Sequence, residues 1–503
     1  MIKKENFHKN ISPEKRDDMP AIGVIFLYCL TYALARFLIS PTMELDEAEQ
    51  FLHSTLFQPG YNNQPPLYNW IVKAVSSVFS LNLATLLFVK YSLLFCFYYV
   101  FYLAARTFND SKRALLMTGS LMIFPLYSYE FNRDLSHSIL VALMSCLTAF
   151  LYIRIFLSGK GIYYFLAGIT IGFGVLSKYN YLVFLIALIL ASASCREGRR
   201  LIFNRRTLLA VSGAVLAILP HSLWLIKNNF SPFHFALEKS KIGELSSNSF
   251  SDILFVLGKS YLEVLIFLSI FAIFFYRPGS SRKKYASPGT NVFRLLSFYG
   301  LLIPLCIIIF LHTGTFKGRW LAPVLFTVPL AMFSMVSFEL EERRTKLFGF
   351  LCIFIAAAIL IIRITIGLMP DHTRAERIHI PFEKLSSDIT GLLKDKGVKD
   401  IDNISIVTDD EHLAANISAW IPGIKFLPLQ SVAEDAALQQ EVLSHGGIVV
   451  WDTLTLGESV PKKFLKVFHS SGSINLLSAP YIHSKKQTYV LGVELILPKK
   501  ANK

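Results

Sequence analysis

Apolar runs of about 20 residues recur along this chain, and they constrain its fold more than any other feature. A helix of that length spans the hydrocarbon core of a bilayer, and it keeps its own backbone groups paired there. About eleven such runs can be read, near residues 21–40, 84–105, 114–129, 135–157, 161–177, 179–195, 207–226, 253–276, 295–312, 320–338 and 347–368. Residues 70–83 read as an interfacial helix or as part of a further span. The 503 residues are 53% hydrophobic, with a mean hydropathy of +0.48, which argues against an ordinary soluble domain. The expected fold class is a polytopic α-helical membrane protein of about 11–13 transmembrane helices, with a small C-terminal α/β domain.

The net charge of +15 would suggest nucleic acid in a soluble protein. Here its distribution points to membrane orientation, and no nucleic-acid partner is expected. With a cytoplasmic N-terminus, every second connection is basic: Arg106, Lys112 and Arg113; Arg154 and Lys160; Arg196, Arg199, Arg200, Arg205 and Arg206; Arg277, Arg282, Lys283, Lys284 and Arg294; Arg343, Arg344 and Lys346. The opposite connections carry fewer basic residues. The basic N-terminal stretch leads into a first run long enough to span, so it reads as a retained anchor. All six cysteines lie in or at the ends of apolar runs, which favours neither a disulfide framework nor a cysteine metal cluster.

The expected organisation is a cytoplasmic N-terminus (1–20), a transmembrane domain (21–368) with an outer loop at 41–83, and an outer α/β domain (369–503). In the last part, Ile401–Val407 and the run 446–451 read as strands, and 431–443 as an amphipathic helix.

Chemistry concentrates on the outer side. Glu44, Asp46, Glu47 and Glu49 fall just after the first span, where carboxylates are costly unless they face a polar cavity. The other outer loops bring Glu130, Arg133, Asp134 and His137; Lys178, Tyr179 and Asn180; Asn228, Asn229 and His234; and His312, Lys317 and Arg319. Carboxylates can take a proton from an attacking hydroxyl. Lysine and arginine can stabilise a departing phosphate. Together these groups suit sugar transfer from a polyprenyl-phosphate donor, provided the helix ends converge. The plain alternatives are a solvated face for Asp46 and Glu47, an ion pair for Arg133 with Asp134, and snorkelling to lipid headgroups for Lys178.

The segments LDEAEQ (45–50) and GYNNQPPLYNW (60–70) resemble the opening of GT-C membrane glycosyltransferases of the protein-mannosyltransferase superfamily. More narrowly, they look like the bacterial branch of lipid A aminoarabinose transferases and related lipopolysaccharide sugar transferases. GVLSKYNYLVFL (174–185), WLIKNNFSPFHF (224–235) and FKGRWLAPVL (316–325) resemble later motifs in the same order. The resemblance implies a GT-C fold with a periplasmic C-terminal domain and single-displacement, inverting transfer. It implies Asp46 as the catalytic carboxylate with Glu47 beside it, Asp134 as a second acidic position, and Lys178 near the donor phosphate. Gln64 stands where the commonest motif has a phosphate-contacting lysine, so Lys178, Lys317 or Arg319 would supply that cation, with Arg133 also a candidate. Pro232 interrupts the fourth-loop motif. Tyr61, Gln64, Tyr68, His137, Asn229 and His234 are the candidates for substrate contact, with packing as the alternative for both histidines.

The expected function is transfer of a monosaccharide from a polyprenyl-phosphate carrier to lipid A, lipopolysaccharide core or another envelope glycan. It would take place on the periplasmic face of a bacterial inner membrane. A flippase for lipid-linked saccharides and a protein O-glycosyltransferase are the alternatives. No cofactor is required by any motif. Asp46, Glu47, Asp134 and His137 could hold a divalent cation if they meet, but no ligand spacing demands one.

Overall fold

The computed structural model describes residues 18–61, 64–233, 250–276, 290–311, 316–335, 342–398, 404–468 and 474–497. Its helices in the membrane region are α1 Met19–Ile39, α2 Leu45–His53, α3 Leu67–Ser76, α4 Leu83–Arg106, α5 Ser111–Gly119, α6 His137–Ser158, α7 Gly161–Ser177, α8 Tyr181–Ser194, α9 Arg196–Ile202, α10 Thr207–Lys227, α11 Phe250–Phe275, α12 Thr290–Leu311, α13 Thr327–Phe333 and α14 Glu342–Leu368. The C-terminal part adds α15 Phe382–Asp395, β1 Ser405–Thr408, α16 Glu411–Trp420, β2 Lys425–Pro428, α17 Leu429–Glu434, α18 Ala436–His445, β3 Gly447–Asp452, α19 Lys462–Phe468, β4 Ile474–Pro480 and β5 Thr488–Ile496.

Among the described residues, six helices are long and apolar enough to cross a membrane: α1, α4, α6, α10, α12 and α14. A seventh span is possible from α8 with α9, which meet at a bend of 117°. The helix α7 and residues 261–275 of α11 are apolar but shorter. Two expected spans, 114–129 and 320–338, are not continuous helices. The first breaks after α5 into a 3₁₀ turn (Ser120–Ile123) and a π turn (Leu126–Glu130). Pro125 explains the break: it has no N–H to continue the helix and it drives Phe124 to an extended ψ of 113°. The second holds Pro323 and Pro329 and is helical only at Gly318–Leu321 and α13. A side chain of the first segment satisfies backbone groups of the second. The Tyr127 hydroxyl donates to the Ala322 carbonyl (2.9 Å) and accepts from the Phe326 N–H (2.8 Å). Irregular backbone at membrane depth persists only when protein supplies such partners.

The chain divides into two compact units, one of residues 1–33, 58–71 and 89–360, the other of 34–57, 72–88 and 361–503. In the first, Gly168 and Gly172 of α7 lie against Ala210, Ala214 and Ala217 of α10, the small-residue contact by which membrane helices approach closely. Lys90 of α4 is buried and so does not snorkel to headgroups. In the second, a five-stranded sheet runs in the order β2-β1-β3-β5-β4. The strands β2, β1 and β3 are parallel; β5 is antiparallel to both β3 and β4. Alternate residues serve the two faces. Ile406, Ile448, Val450, Leu491 and Val493 pack on α15 and α16, while Val407, Val449 and Trp451 pack on α17, α18 and α19. The strand expected at Ile401–Val407 is seen from Ser405; residues 401–403 lie outside the described part.

Candidate active site

In the second unit, the acidic motif folds as the helix α2. Glu44 is its N-cap, and the Glu47 carboxylate accepts the Glu44 N–H at 2.9 Å, as in a capping box. The same Glu47 oxygen meets the Arg36 guanidinium at 2.6 Å, and each side chain is only 3% exposed. Arg36 also donates to the carbonyls of Ser40 (3.0 Å) and Thr42 (2.7 Å), so one buried cation folds the turn leading into α2. Arg363 lies 3.8 Å from Glu44 and 3.4 Å from Glu376. Burial, ahead of its neighbouring charges, raises the Glu44 carboxyl above its usual range. Asp46 is half-buried in the first turn of α2, where the helix dipole favours a carboxylate.

The residues just before α2 are held by the C-terminal sheet domain. The Met43 N–H donates to Asn416 Oδ1 and the Met43 carbonyl accepts from His412 Nε2, both at 2.8 Å. His412 and Asn416 stand four residues apart on α16, whose N-terminus is capped by Asp410. Both are buried. Burial lowers the His412 imidazole below its ordinary range, which keeps the ring neutral with its proton on the nitrogen that Met43 needs. Thr42 Oγ1 donates to the Ile380 carbonyl at 2.8 Å.

In the first unit, Lys178 follows the end of α7, and its ammonium donates to Ser138 Oγ at 2.9 Å. His137 opens α6, with Nδ1 donating to the Ser177 carbonyl (3.1 Å) and its ring 5.2 Å from that of Tyr68. The lysine loop is tied to the next cationic turn, since Asn180 Nδ2 donates to the Trp320 carbonyl at 3.0 Å. That turn carries Lys317, exposed, and Arg319, half-buried. Arg133 pairs with Glu130 at 3.1 Å, and Asp134 is buried. An apolar cavity of about 460 Å³ opens among α6–α10, lined by residues such as Tyr152, Ile155, Leu188 and Ile218. Its lining suits hydrocarbon.

The Pro-Gly-Tyr turn after the acidic helix rests on α10. His221 Nδ1 donates to the Pro59 carbonyl at 2.8 Å, and its other nitrogen accepts from the Tyr179 hydroxyl at 3.0 Å. Gly60 lies flat on Trp224, where a Cβ would come within 2.3 Å of the indole. Gly60→Ala should therefore destabilise by about 1–3 kcal/mol, the usual cost of overpacking. Trp224→Leu in the same chain should recover part of the loss in a thermal melt. A Gly60→Ala protein that melts like the parent would remove the contact from this account.

Among the expected site residues, Tyr68, His137 and Lys178 are brought together in the first unit, with Lys317 and Arg319 on the turn tied to them. Tyr61 is buried and Gln64 half-buried; Asn229 is exposed with a left-handed φ of 49°. His234 and His312 lie outside the described residues. Glu47 is committed to Arg36, which suits shaping the loop better than reacting. Sequence reasoning passed over Arg36, His412, Asn416, His221 and Glu263. The last is a carboxylate inside an apolar helix, accepting the Leu126 N–H at 3.1 Å. Its position was the available signal, since intramembrane acids are seldom without a role.

Residues 63–224 match the family described as dolichyl-phosphate-mannose-protein mannosyltransferase. The lipopolysaccharide core galacturonosyltransferase RgtB of Rhizobium johnstonii is 30% identical over 424 residues, covering 82% of this chain and 83% of that protein. RgtA of the same organism, also named a lipopolysaccharide core galacturonosyltransferase, is 24% identical over 498 residues, 94% of this chain and 96% of its own length. Among solved structures, ArnT from Cupriavidus metallidurans in the apo state superposes with a TM-score of 0.59 at 12% identity, covering 95% of this chain and 98% of ArnT. ArnT bound to undecaprenyl phosphate gives 0.54 at 12% identity, covering 96% and 99%.

Proposed function

This chain belongs to the GT-C family of membrane glycosyltransferases, lipopolysaccharide core galacturonosyltransferases among them, and on that premise we propose that it moves one sugar from a polyprenyl-phosphate carrier to lipopolysaccharide. It is a multi-pass membrane glycosyltransferase. The proposed site of action is the periplasmic face of the inner membrane, and residues 369–503 form the proposed periplasmic domain. The names of the relatives make a galacturonosyl group the first donor to test and the lipopolysaccharide core the first acceptor.

In this reading Asp46 takes the proton from the acceptor hydroxyl as its oxygen attacks the anomeric carbon. If the acceptor group is already an anionic phosphate, Asp46 orients it instead. The anomeric carbon–oxygen bond to the carrier breaks, inverting the centre, and polyprenyl phosphate departs with the electron pair. Lys178, with Lys317 and Arg319, takes up the developing charge. Asp134 and Tyr68 help to place the sugar. The observation that carries the reading is the tie from Asn180 to Trp320, which joins two cationic loops where Gln64 supplies no charge.

The test is turnover by the purified protein in detergent, with polyprenyl-phosphate galacturonic acid and lipopolysaccharide core. With no compartments present, transport cannot be scored, so product means transfer. Lys178→Ala should lower kcat/KM by about 10²–10³-fold, as loss of one charge-stabilising donor does, and Lys178→Arg should keep part of it. A full-rate Lys178→Ala enzyme would take this residue out of the donor site. The family description also favours a protein acceptor as a second reading; sugar found on serine or threonine of a secreted protein, and not on lipid, would select it.

A further inference from the structure

We propose that Glu49, His53 and Glu411 form a binding site for one divalent transition-metal ion, with zinc the best fit. One ligand atom from each of the three side chains lies within 4.8 Å of the other two. Glu49 and His53 stand four residues apart on α2 and so share a face. Glu411 opens α16. The helices are already fixed to each other, because His412 and Asn416 of α16 grip Met43 just ahead of α2. The three ligands are thus mounted on elements that do not have to be ordered by the metal.

The donor set selects the ion. One imidazole nitrogen and two carboxylates suit zinc, which takes such ligands at about 2.0–2.2 Å in a tetrahedron and leaves a fourth position to water. Ligand atoms then sit about 3.4 Å apart, so each must close by little more than the swing of a glutamate side chain. Calcium and magnesium prefer all-oxygen shells of higher coordination number. None of the three side chains is fully buried, which leaves the ion a way in from solvent.

The site begins one turn beyond Asp46 on the same helix. A bound ion would staple the acidic helix to the sheet domain and offset part of the carboxylate charge gathered there. The proposal does not depend on the transfer reading, because its test measures metal and melting rather than turnover.

The full-length protein, free of any histidine tag, is purified in detergent, stripped with chelator and titrated with zinc alone. The expected result is one zinc per chain after desalting, by elemental mass spectrometry, with a rise in melting temperature. His53→Ala and Glu411→Gln should each weaken zinc binding by at least the roughly 10–100-fold that loss of an outer-shell partner costs. Glu411 is not fully buried and sits in the first turn of α16, so its variant keeps the test valid if His53→Ala fails to fold. Glu458→Gln, a change at an exposed acid, should bind as the parent does. No zinc retained by the parent, equal affinity in Glu411→Gln, or magnesium preferred to zinc would each overturn the assignment.

Discussion

Asp46→Asn should abolish sugar transfer to a hydroxyl acceptor, lowering kcat by about 10²–10⁴-fold, the usual contribution of a positioned general base. The asparagine amide has nearly the shape of the carboxylate it replaces but cannot take a proton. The helix beneath it is held by other groups: the Arg36–Glu47 pair, the capping of Glu44 and the grip on Met43. Loss of a charge from the first turn of a helix costs only about 0.3–1 kcal/mol. The variant should therefore insert, purify and melt much like the parent, and the whole effect should fall on turnover. Asp46→Glu should recover little, since the extra methylene shifts the carboxylate by more than a proton transfer tolerates. Transfer at the parent rate by Asp46→Asn would remove this residue from the chemistry.

Arg36→Ala should be the most destabilising single change, at about 3–5 kcal/mol, because it leaves the Glu47 carboxylate buried without its cation. It also removes the donors that hold the Ser40 and Thr42 carbonyls. Arg36→Lys should fall between, since an ammonium is a point charge and cannot span three acceptors as the guanidinium fork does. Replacing the pair together, Arg36→Met with Glu47→Leu, should melt higher than Arg36→Ala, because no isolated charge is then buried. The cycle of single and double variants isolates the coupling. If Arg36→Ala melts at the parent temperature, the pair contributes nothing to holding α2.

Some of this was legible in the sequence for a physical reason. Apolar runs announce spans because lipid tolerates nothing else, and the acids just after the first run announced the motif around Asp46 because they are costly beside lipid. The run at 446–451 gave away a strand, which the structure shows at Gly447–Asp452. Other features were hidden by distance along the chain. Glu47 looks like a second catalytic acid until its partner, eleven residues earlier, is seen beside it. His412 and Asn416 carry no motif; their meaning lies in Met43, 369 and 373 residues away. The breaks at 114–129 and 320–338 had a visible cause in Pro125, Pro323 and Pro329, yet hydropathy alone runs straight through them.

The grip on Met43 also sets an order of events in biosynthesis. A ribosome adds about 5–20 residues per second, and Asn416 is made 373 residues after Met43. For roughly 20–75 s the acidic helix is in place without its keeper. A segment made among the first is thus among the last to be finished, and a nascent chain stalled before residue 412 would lack the grip that holds it.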